Sequence, residues 1–353
     1  LCEDANNAGF FNLDLTVPQT DLKSAFIDFL NDGITQTVRA LPRAFDPEVE
    51  ECMALLKESK QIILSGPPGI GKTRMALQIA EKLESDGELA EKEMILFHQS
   101  SSYEDFIEGI RPNVESSSLS YSYKHVIFKL LCRKAETNPD QYYILIIDEI
   151  NRGNVSNIFG ELIFLLEPSY RHPDYAVELQ YTGDRLWVPA NLLIIGTMNS
   201  TDKSAVDLDL ALRRRFSIIN LYPNAESITR ALSERGVEII MPGEDGANRE
   251  TLNMANVLNG LNSIISRNIG LGEDFQFGQA FLLPHEGKEY DDAFILNAWN
   301  YKIIPLLNEY AHLSPSILGE ISDMGFIVRN GRVQHFVLAD LYAAMRQLSG
   351  IIE

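Results

Sequence analysis

Residues Gly66-Pro67-Pro68-Gly69-Ile70-Gly71-Lys72-Thr73 fit the pattern G-x-x-x-x-G-K-[ST]. They lie between a short apolar run, Gln61–Ser65, and an amphipathic stretch, Lys72–Ser85. That order requires a strand, a tight glycine turn and a helix. The glycines let successive backbone N–H groups converge on phosphate oxygens, and the positive end of the helix adds to the attraction. Lys72 is then placed for the β- and γ-phosphates and the Thr73 hydroxyl for Mg²⁺. Gly66, Pro67, Pro68, Gly69, Ile70, Gly71, Lys72, Thr73 and the following Arg74 form the candidate phosphate-binding set.

From Gln61 onward, strand-sized apolar runs alternate with amphipathic stretches, which predicts an α/β fold with a parallel sheet flanked by helices. Five strands are predicted: Gln61–Ser65, Met94–His98, Tyr142–Asp148, Asn191–Thr197 and Phe216–Leu221. The helices between them are Lys72–Ser85, one starting near Tyr103, Lys124–Thr137, Asn157–Glu167 and Val206–Arg214. Glu115–Ser120 reads as a Ser-rich loop, and Tyr175–Trp187 as a hairpin turning at Thr182-Gly183-Asp184. Before the sheet, Pro47 opens a helix through Lys57, with Asp46 as its N-cap. After Pro223 the period is helical over Ala225–Arg235, Thr251–Arg267, Asp291–Tyr310 and Val337–Leu348, with polar loops such as Pro242–Asn248. The domains expected are a nucleotide-binding α/β domain over 46–222 and a smaller helical domain over 223–353. Residues 1–45 read as a lead-in or linker remnant, with a helix-like Leu22–Leu30 and a turn at Asn31-Asp32-Gly33. The start at Leu1 suggests a piece of a longer chain.

Two further strands end in polar residues. Tyr143–Ile147 runs into Asp148 and Glu149, where Asp148 would hold Mg²⁺ through water and Glu149 would polarise an attacking water. An acidic pair after a strand usually caps the next helix; following a phosphate loop, it is a specific partner. Leu193–Met198 runs into Asn199, which in a strand beside the loop reaches the γ-phosphate or the water. Arg213, Arg214 and Arg215 then precede Phe216. Consecutive arginines are usually a solvated face, but at a helix end they can also be presented to a neighbouring subunit's nucleotide, stabilising charge in the transition state.

The balance of 50 acidic to 30 basic residues, a net charge of −20, disfavours autonomous binding to nucleic acid over a wide surface. Cys2, Cys52 and Cys132 are few and widely spaced, as in a reducing cytoplasm, and the six histidines show no metal-ligand spacing. The longest apolar runs are strand-sized, so no membrane span and no leader sequence are expected.

Phosphate loop, strand-Asp-Glu, strand-Asn and terminal arginines, in this order before a helical domain, resemble an AAA+ ATPase module. Local strings narrow this. Phe97-His98-Gln99-Ser100-Ser101-Ser102-Tyr103-Glu104-Asp105-Phe106, with Gly109 and Arg111-Pro112, resembles the F-H-Q-S-x-x-Y-E-D-F segment of the McrB family. So do Asp148–Asn154 through Phe159-Gly160-Glu161, and Ile195–Asn199 with Ala211–Phe216, while Asp274–Gly278 is a looser echo in the lid. The resemblance covers about residues 46–310 and implies an AAA+ fold with a five-stranded parallel sheet and a C-terminal helical lid. It also implies GTP (or ATP) with Mg²⁺, a homo-oligomeric ring expected to be a hexamer, and an McrC-type endonuclease partner. The implied role is a motor that translocates DNA in defence against foreign DNA, contacting it through the assembly or through an N-terminal DNA-reading domain that 1–45 does not supply. Glu149, Asn199, Asp202, Arg213 and Arg214 are the implied catalytic residues, with Thr73 and Asp148 at the metal. One departure stands out: the family's M-N-T-A-D-R reads here Met198-Asn199-Ser200-Thr201-Asp202-Lys203, so a lysine replaces the bidentate arginine. The N-K-x-D motif of Ras-like GTPases is absent, so guanine preference rests on the resemblance. Two other readings are an ATP-dependent MoxR- or midasin-like remodelling chaperone, which would lack the His98–Phe106 string, and a scaffold that binds nucleotide without turnover.

Overall fold

The computed structural model describes residues 46–113, 120–202, 208, 210–234, 236–242, 249–284 and 289–350. The expected Leu22–Leu30 helix, the turn at Asn31–Gly33, most of the Ser-rich loop, and Lys203 lie outside them. No helix among the described residues is long and apolar enough to cross a membrane.

Helix α1 (Pro47–Ser59) leads into β1 (Gln61–Gly66), the phosphate loop and α2 (Lys72–Ser85). Then come β2 (Leu89–Leu96), the single turn α3 (Tyr103–Phe106), a hairpin of β3 (Glu108–Asn113) and β4 (Ser120–His125), and α4 (Ile127–Thr137). Strand β5 (Tyr142–Asp148) is followed by α5 (Val155–Phe159), a 3₁₀ stretch Gly160–Leu166, and a second hairpin, β6 (Val177–Glu178) and β7 (Arg185–Leu186). Strand β8 (Leu192–Asn199), α6 (Leu210–Arg213) and β9 (Ser217–Asn220) complete this part. The sheet has the order β2-β5-β8-β1-β9, and every pairing in it is parallel.

Strands β1, β5 and β8 are buried along nearly their whole length, as a sheet covered on both faces demands. The edge strand β2 instead alternates, with Glu91 and Lys92 among its residues, and starts five residues before the predicted Met94. The predicted helix over Asn157–Glu167 is a short α-helix and a 3₁₀ stretch, broken where Gly160 takes φ 52°. Before α4, Lys124 and His125, predicted as its first two residues, end β4, whose partner β3 carries the buried Glu108. Glu108 accepts from Lys129 Nζ (2.8 Å), from the Tyr181 and Thr182 N–H groups (2.9 and 3.1 Å) and from Thr182 Oγ1 (2.6 Å). Burial works to raise the carboxyl, but these donors, Lys129 foremost, hold it below the usual range. The pair fixes the first hairpin to the turn of the second.

The C-terminal part is helical: α7 (Glu226–Glu234), a small hairpin β10 (Ile240–Pro242) and β11 (Arg249–Thr251), α8 (Met254–Arg267), α9 (Asp292–Ala298), α10 (Ile304–Leu313), α11 (Ile317–Ser322), a hairpin β12 (Val328–Arg329) and β13 (Arg332–Val333), and α12 (Leu338–Ser349). A π turn, Trp299–Ile303, joins α9 to α10 where one continuous helix is predicted. Pro305 follows, and the wider turn removes the demand for its missing N–H. One apolar cluster draws only on residues between Ile63 and Phe216, and a second only on residues between Ala225 and Leu348. In the second, buried asparagines dock extended segments by pairing with one backbone N–H and one C=O each. Asn262 does this to Phe277 (2.7 and 2.9 Å) and Asn300 to Phe336 (2.8 and 3.0 Å).

Candidate functional site

The parallel register places Gly66 opposite Asn199 and Ile147 opposite Gly196, so β1, β5 and β8 end within two residues of one another. This carboxyl edge of a parallel sheet is where α/β folds bind ligands. The loop after β1 turns on Gly66, Gly69 and Gly71, with φ of 155°, 77° and 92°. Gly71 is itself the N-cap of α2, so the helix opens with bare N–H groups facing the loop.

Lys72 Nζ donates to the carbonyls of Gly66 (2.9 Å) and Pro67 (2.8 Å) and lies 3.4 Å from Asn199 Oδ1. Burial pulls its ammonium down to about 8, with Glu149 and then Asp148 opposing the fall. Thr73 Oγ1 donates to Asp148 Oδ1 at 2.8 Å, and Thr197 Oγ1 donates to the same oxygen at 2.5 Å. The Thr197 hydroxyl also accepts the Glu149 N–H at 3.1 Å. A hydroxyl and a carboxylate side by side are hard oxygen donors of the kind Mg²⁺ takes while keeping several waters.

Glu149 is one of three non-glycine residues with positive φ among those described, at φ 52° and ψ 48°. Strain of this kind is held in place by surrounding structure and concentrates at functional sites. Its Oε2 is buried without a hydrogen bond, and Arg152 pairs with it as an ion at 3.4 Å. Arg152 also pairs with Asp202 at 3.0 Å. Asn151 Nδ2 reaches the Asn199 carbonyl at 3.4 Å, while its Oδ1 and the Ser200 hydroxyl are buried with no partner. Such unsatisfied polar atoms beside a strained carboxylate fit a polar ligand and its water.

Arg74 is exposed on the first turn of α2. Arg213 and Arg214 are exposed, and Arg213 Nε donates to the Leu208 carbonyl at 3.1 Å. The structure does not bring them to the loop of their own chain. Ser217 pairs with Ile62, and Gln61 Nε2 donates to the Arg215 carbonyl, so the arginines stand beside the start of β1. Six strand residues, roughly 20 Å, separate that point from the loop.

Sequence reasoning missed the lid's grip on the loop. The clasp of Asn262 on Phe277 aims the next three residues at the phosphate loop. The Gly278 N–H donates to the Pro68 carbonyl (3.1 Å), the Ala280 N–H to Gly69 (2.9 Å) and Gln279 Nε2 to Ile70 (2.7 Å). A Cβ on Gly278 would fall inside the Gly69 carbonyl, and one on Gly69 would strike the Phe281 ring. The signal for this was Gly278 at the end of the loosely matching lid string. Thr197 and Arg152 were also missed as site residues, although both lie inside matching strings.

Comparison with known proteins agrees with this geometry. Residues 61–216 match the model of the AAA domain (dynein-related subfamily), and residues 253–316 match that of the McrB alpha-helical lid domain. The chain is 36% identical over 285 residues to the Type IV methyl-directed restriction enzyme EcoKMcrB subunit of Escherichia coli (strain K12), which covers 77% of this chain and 58% of that protein. It is 32% identical over 130 residues to the Type II restriction enzyme BsuMI component YdiS of Bacillus subtilis (strain 168), covering 33% of this chain and 36% of that one. The chain thus spans little more than half the length of the first relative and about a third of the second.

Proposed function

Since the chain belongs to the McrB-type AAA+ family, we propose that it is the nucleotide-hydrolysing motor of a restriction system, using GTP ahead of ATP. The observation that carries this reading is the convergence of Lys72, Thr73, Asp148 and Asn199 at one sheet edge, beside a strained Glu149 with an unbonded oxygen.

In this reading the loop N–H groups and Lys72 take the phosphates, Lys72 exchanging its two carbonyl partners for phosphate oxygens. Thr73 and Asp148 would hold Mg²⁺, which would supply positive charge beside the phosphates. Glu149 accepts a proton from the attacking water, and Asn199 orients that water. Asp202 keeps Arg152 from closing fully on Glu149. Arg213 or Arg214 acts on a neighbour's nucleotide; their position at the far end of β1 supports a role between subunits. A ring, expected to be a hexamer, follows from that need. Turnover then drives DNA translocation by the assembly and activates an endonuclease subunit of the McrC type. The preference for GTP rests on the His98–Phe106 and Asn151–Glu161 strings.

Hydrolysis of GTP and ATP at equal concentration, with and without the endonuclease subunit, tests the proposal. Faster GTP turnover that rises further with the endonuclease is the expected result. Faster ATP turnover, or stimulation by a client protein in place of the endonuclease, would favour a remodelling chaperone. Binding without turnover would make the chain a scaffold.

A further inference from the structure

A cavity of about 570 Å³ opens at the opposite edge of the sheet, where β1, β5 and β8 begin. Its lining includes Lys57, Lys60, Tyr142, Arg171 and Trp187. Arg171 is 6% exposed, and its guanidinium is held by neutral oxygens alone. Nε donates to the Leu166 carbonyl (3.4 Å), Nη1 to those of Pro189 (3.2 Å) and Leu192 (2.5 Å), and Nη2 to Gln61 Oε1 (2.5 Å). Four of the five N–H groups a guanidinium carries are used, and one on Nη2 is left over.

Lys60 stands beside it with φ 66°, at the residue after α1 where glycine is usual. Its ammonium gives one hydrogen bond, to the Lys57 carbonyl at 2.7 Å, lies 6.0 Å from the centre of the Tyr142 ring, and has donor capacity to spare. Burial first, and then the charge of Arg171, hold this ammonium below the usual lysine range. Burial likewise pulls the guanidinium down to about 9, still cationic at neutral pH. The carboxylates of the lining do not relieve the pair: Glu88 is bound to Lys57 at 2.5 Å, Glu136 to Arg133 at 3.1 Å, and Asp140 is exposed. Two like charges, one on strained backbone and the other buried, therefore share a cavity in which no carboxylate among the described residues is bonded to either. An arrangement of this kind costs stability and marks a candidate ligand site.

We propose that this cavity binds a phosphate-bearing small molecule, with its phosphoryl group between Lys60 and Arg171 and its body against Tyr142 and Trp187. A phosphomonoester carries about −1.5 to −2 charge at pH 7 and three acceptor oxygens, which match two cations with free protons. A single carboxylate would neutralise half of that charge. The volume exceeds what a bare oxyanion fills, leaving room for the rest of the molecule. The site is independent of the phosphate loop, which lies at the other end of β1.

Calorimetric titration with ribose 5-phosphate and with inorganic phosphate, at constant ionic strength, tests this on the wild type, Lys72→Ala and Lys60→Gly. Saturable binding by wild type and Lys72→Ala, weakened at least ten-fold in Lys60→Gly, is expected, with ribose 5-phosphate the tighter probe. Glycine suits the positive φ, so Lys60→Gly should melt no lower than wild type without ligand; Lys60→Asn, which also tolerates that conformation, is the second variant. Binding lost in Lys72→Ala and kept in both Lys60 variants would assign the signal to the phosphate loop and overturn the proposal. So would the absence of saturable binding in the wild type.

Discussion

Two cations stand at opposite ends of β1, and both rest on carbonyl oxygens. Lys72 holds Gly66 and Pro67; Arg171 holds Leu166, Pro189 and Leu192. The resemblance ends there. Asp148 and Glu149 lie within electrostatic range of Lys72, whereas no carboxylate bears on Arg171. The partners of Lys72 belong to a glycine turn that can offer N–H groups to an anion instead. Those of Arg171 are carbonyls flanking β8 and closing a 3₁₀ stretch, and two of them also accept from elsewhere, Leu166 from Gln61 Nε2 (2.7 Å) and Pro189 from the Leu192 N–H (3.1 Å). Both edges thus hold a cation at some cost in stability, but one keeps it beside carboxylates on a turn that can re-pair, and the other ties strand starts together with it.

Glu149→Gln is the most severe break at the reactive edge. Removing a proton acceptor should lower kcat about 1000-fold while nucleotide affinity is retained. Folding stability should stay level or rise, since a buried, unbonded carboxylate oxygen becomes a neutral group. Steady-state turnover and urea midpoints on the same preparation decide this; a matching loss of stability would mean that Glu149 is part of the cohesion. At the other edge, Arg171→Met removes four buried hydrogen bonds at once, among them the one to Gln61 Oε1, and should cost roughly 3 kcal/mol in urea unfolding. Lys72→Met should stay within about 1 kcal/mol of wild type, because its carbonyl partners line a loop open to water. Equal losses from the two substitutions would erase the contrast.

The sequence makes the two edges unequally visible. The reactive edge is written in short strings at strand ends, and β1, α2 and β5 begin and end within a residue of the predicted bounds, because strands buried on both faces have apolar runs with abrupt polar limits. Strand β2 is an edge strand whose charged residues hide its first half. The β3–β4 hairpin lacks an apolar run, and Glu108, its anchor, is a buried carboxylate whose partner Lys129 sits on another element. The link from Gln279 to Ile70 spans 209 positions, and a side chain that pairs with a passing backbone leaves no periodic trace. Arg171 reads as one more surface arginine, since nothing local shows that the starts of β1 and β8 and the end of a 3₁₀ stretch close around it.

The lid tests how far the reactive edge depends on its surroundings. Gly278→Ala places a methyl group where the Gly69 carbonyl lies, and backbone on both sides leaves no flexible partner to move. The substitution should raise the nucleotide KM about ten-fold, a loss of about 1.4 kcal/mol in binding, with the lid core intact by circular dichroism. An unchanged KM would show that the lid contact does not shape the loop.

A pH dependence separates the two cations. The unfolded chain keeps the Lys72 proton up to about 10.5, whereas the folded chain sheds it near 8. Between those values the unfolded state binds more protons, so the stability of the nucleotide-free protein rises with pH across the window. Below about 8 both states are protonated, and the contribution of Lys72 is constant. Arg171 titrates in wild type and in Lys72→Met alike, so its slope cancels in the difference between the two proteins. That difference should change by roughly 2.5 kcal/mol between pH 8 and 10.5, in the direction of a relatively more stable wild type at high pH. Urea midpoints taken stepwise across the range measure it. A flat difference would mean that Glu149 and Asp148 fully offset the burial of Lys72 in the empty site, and the two ends of β1 would then differ in cost as well as in chemistry.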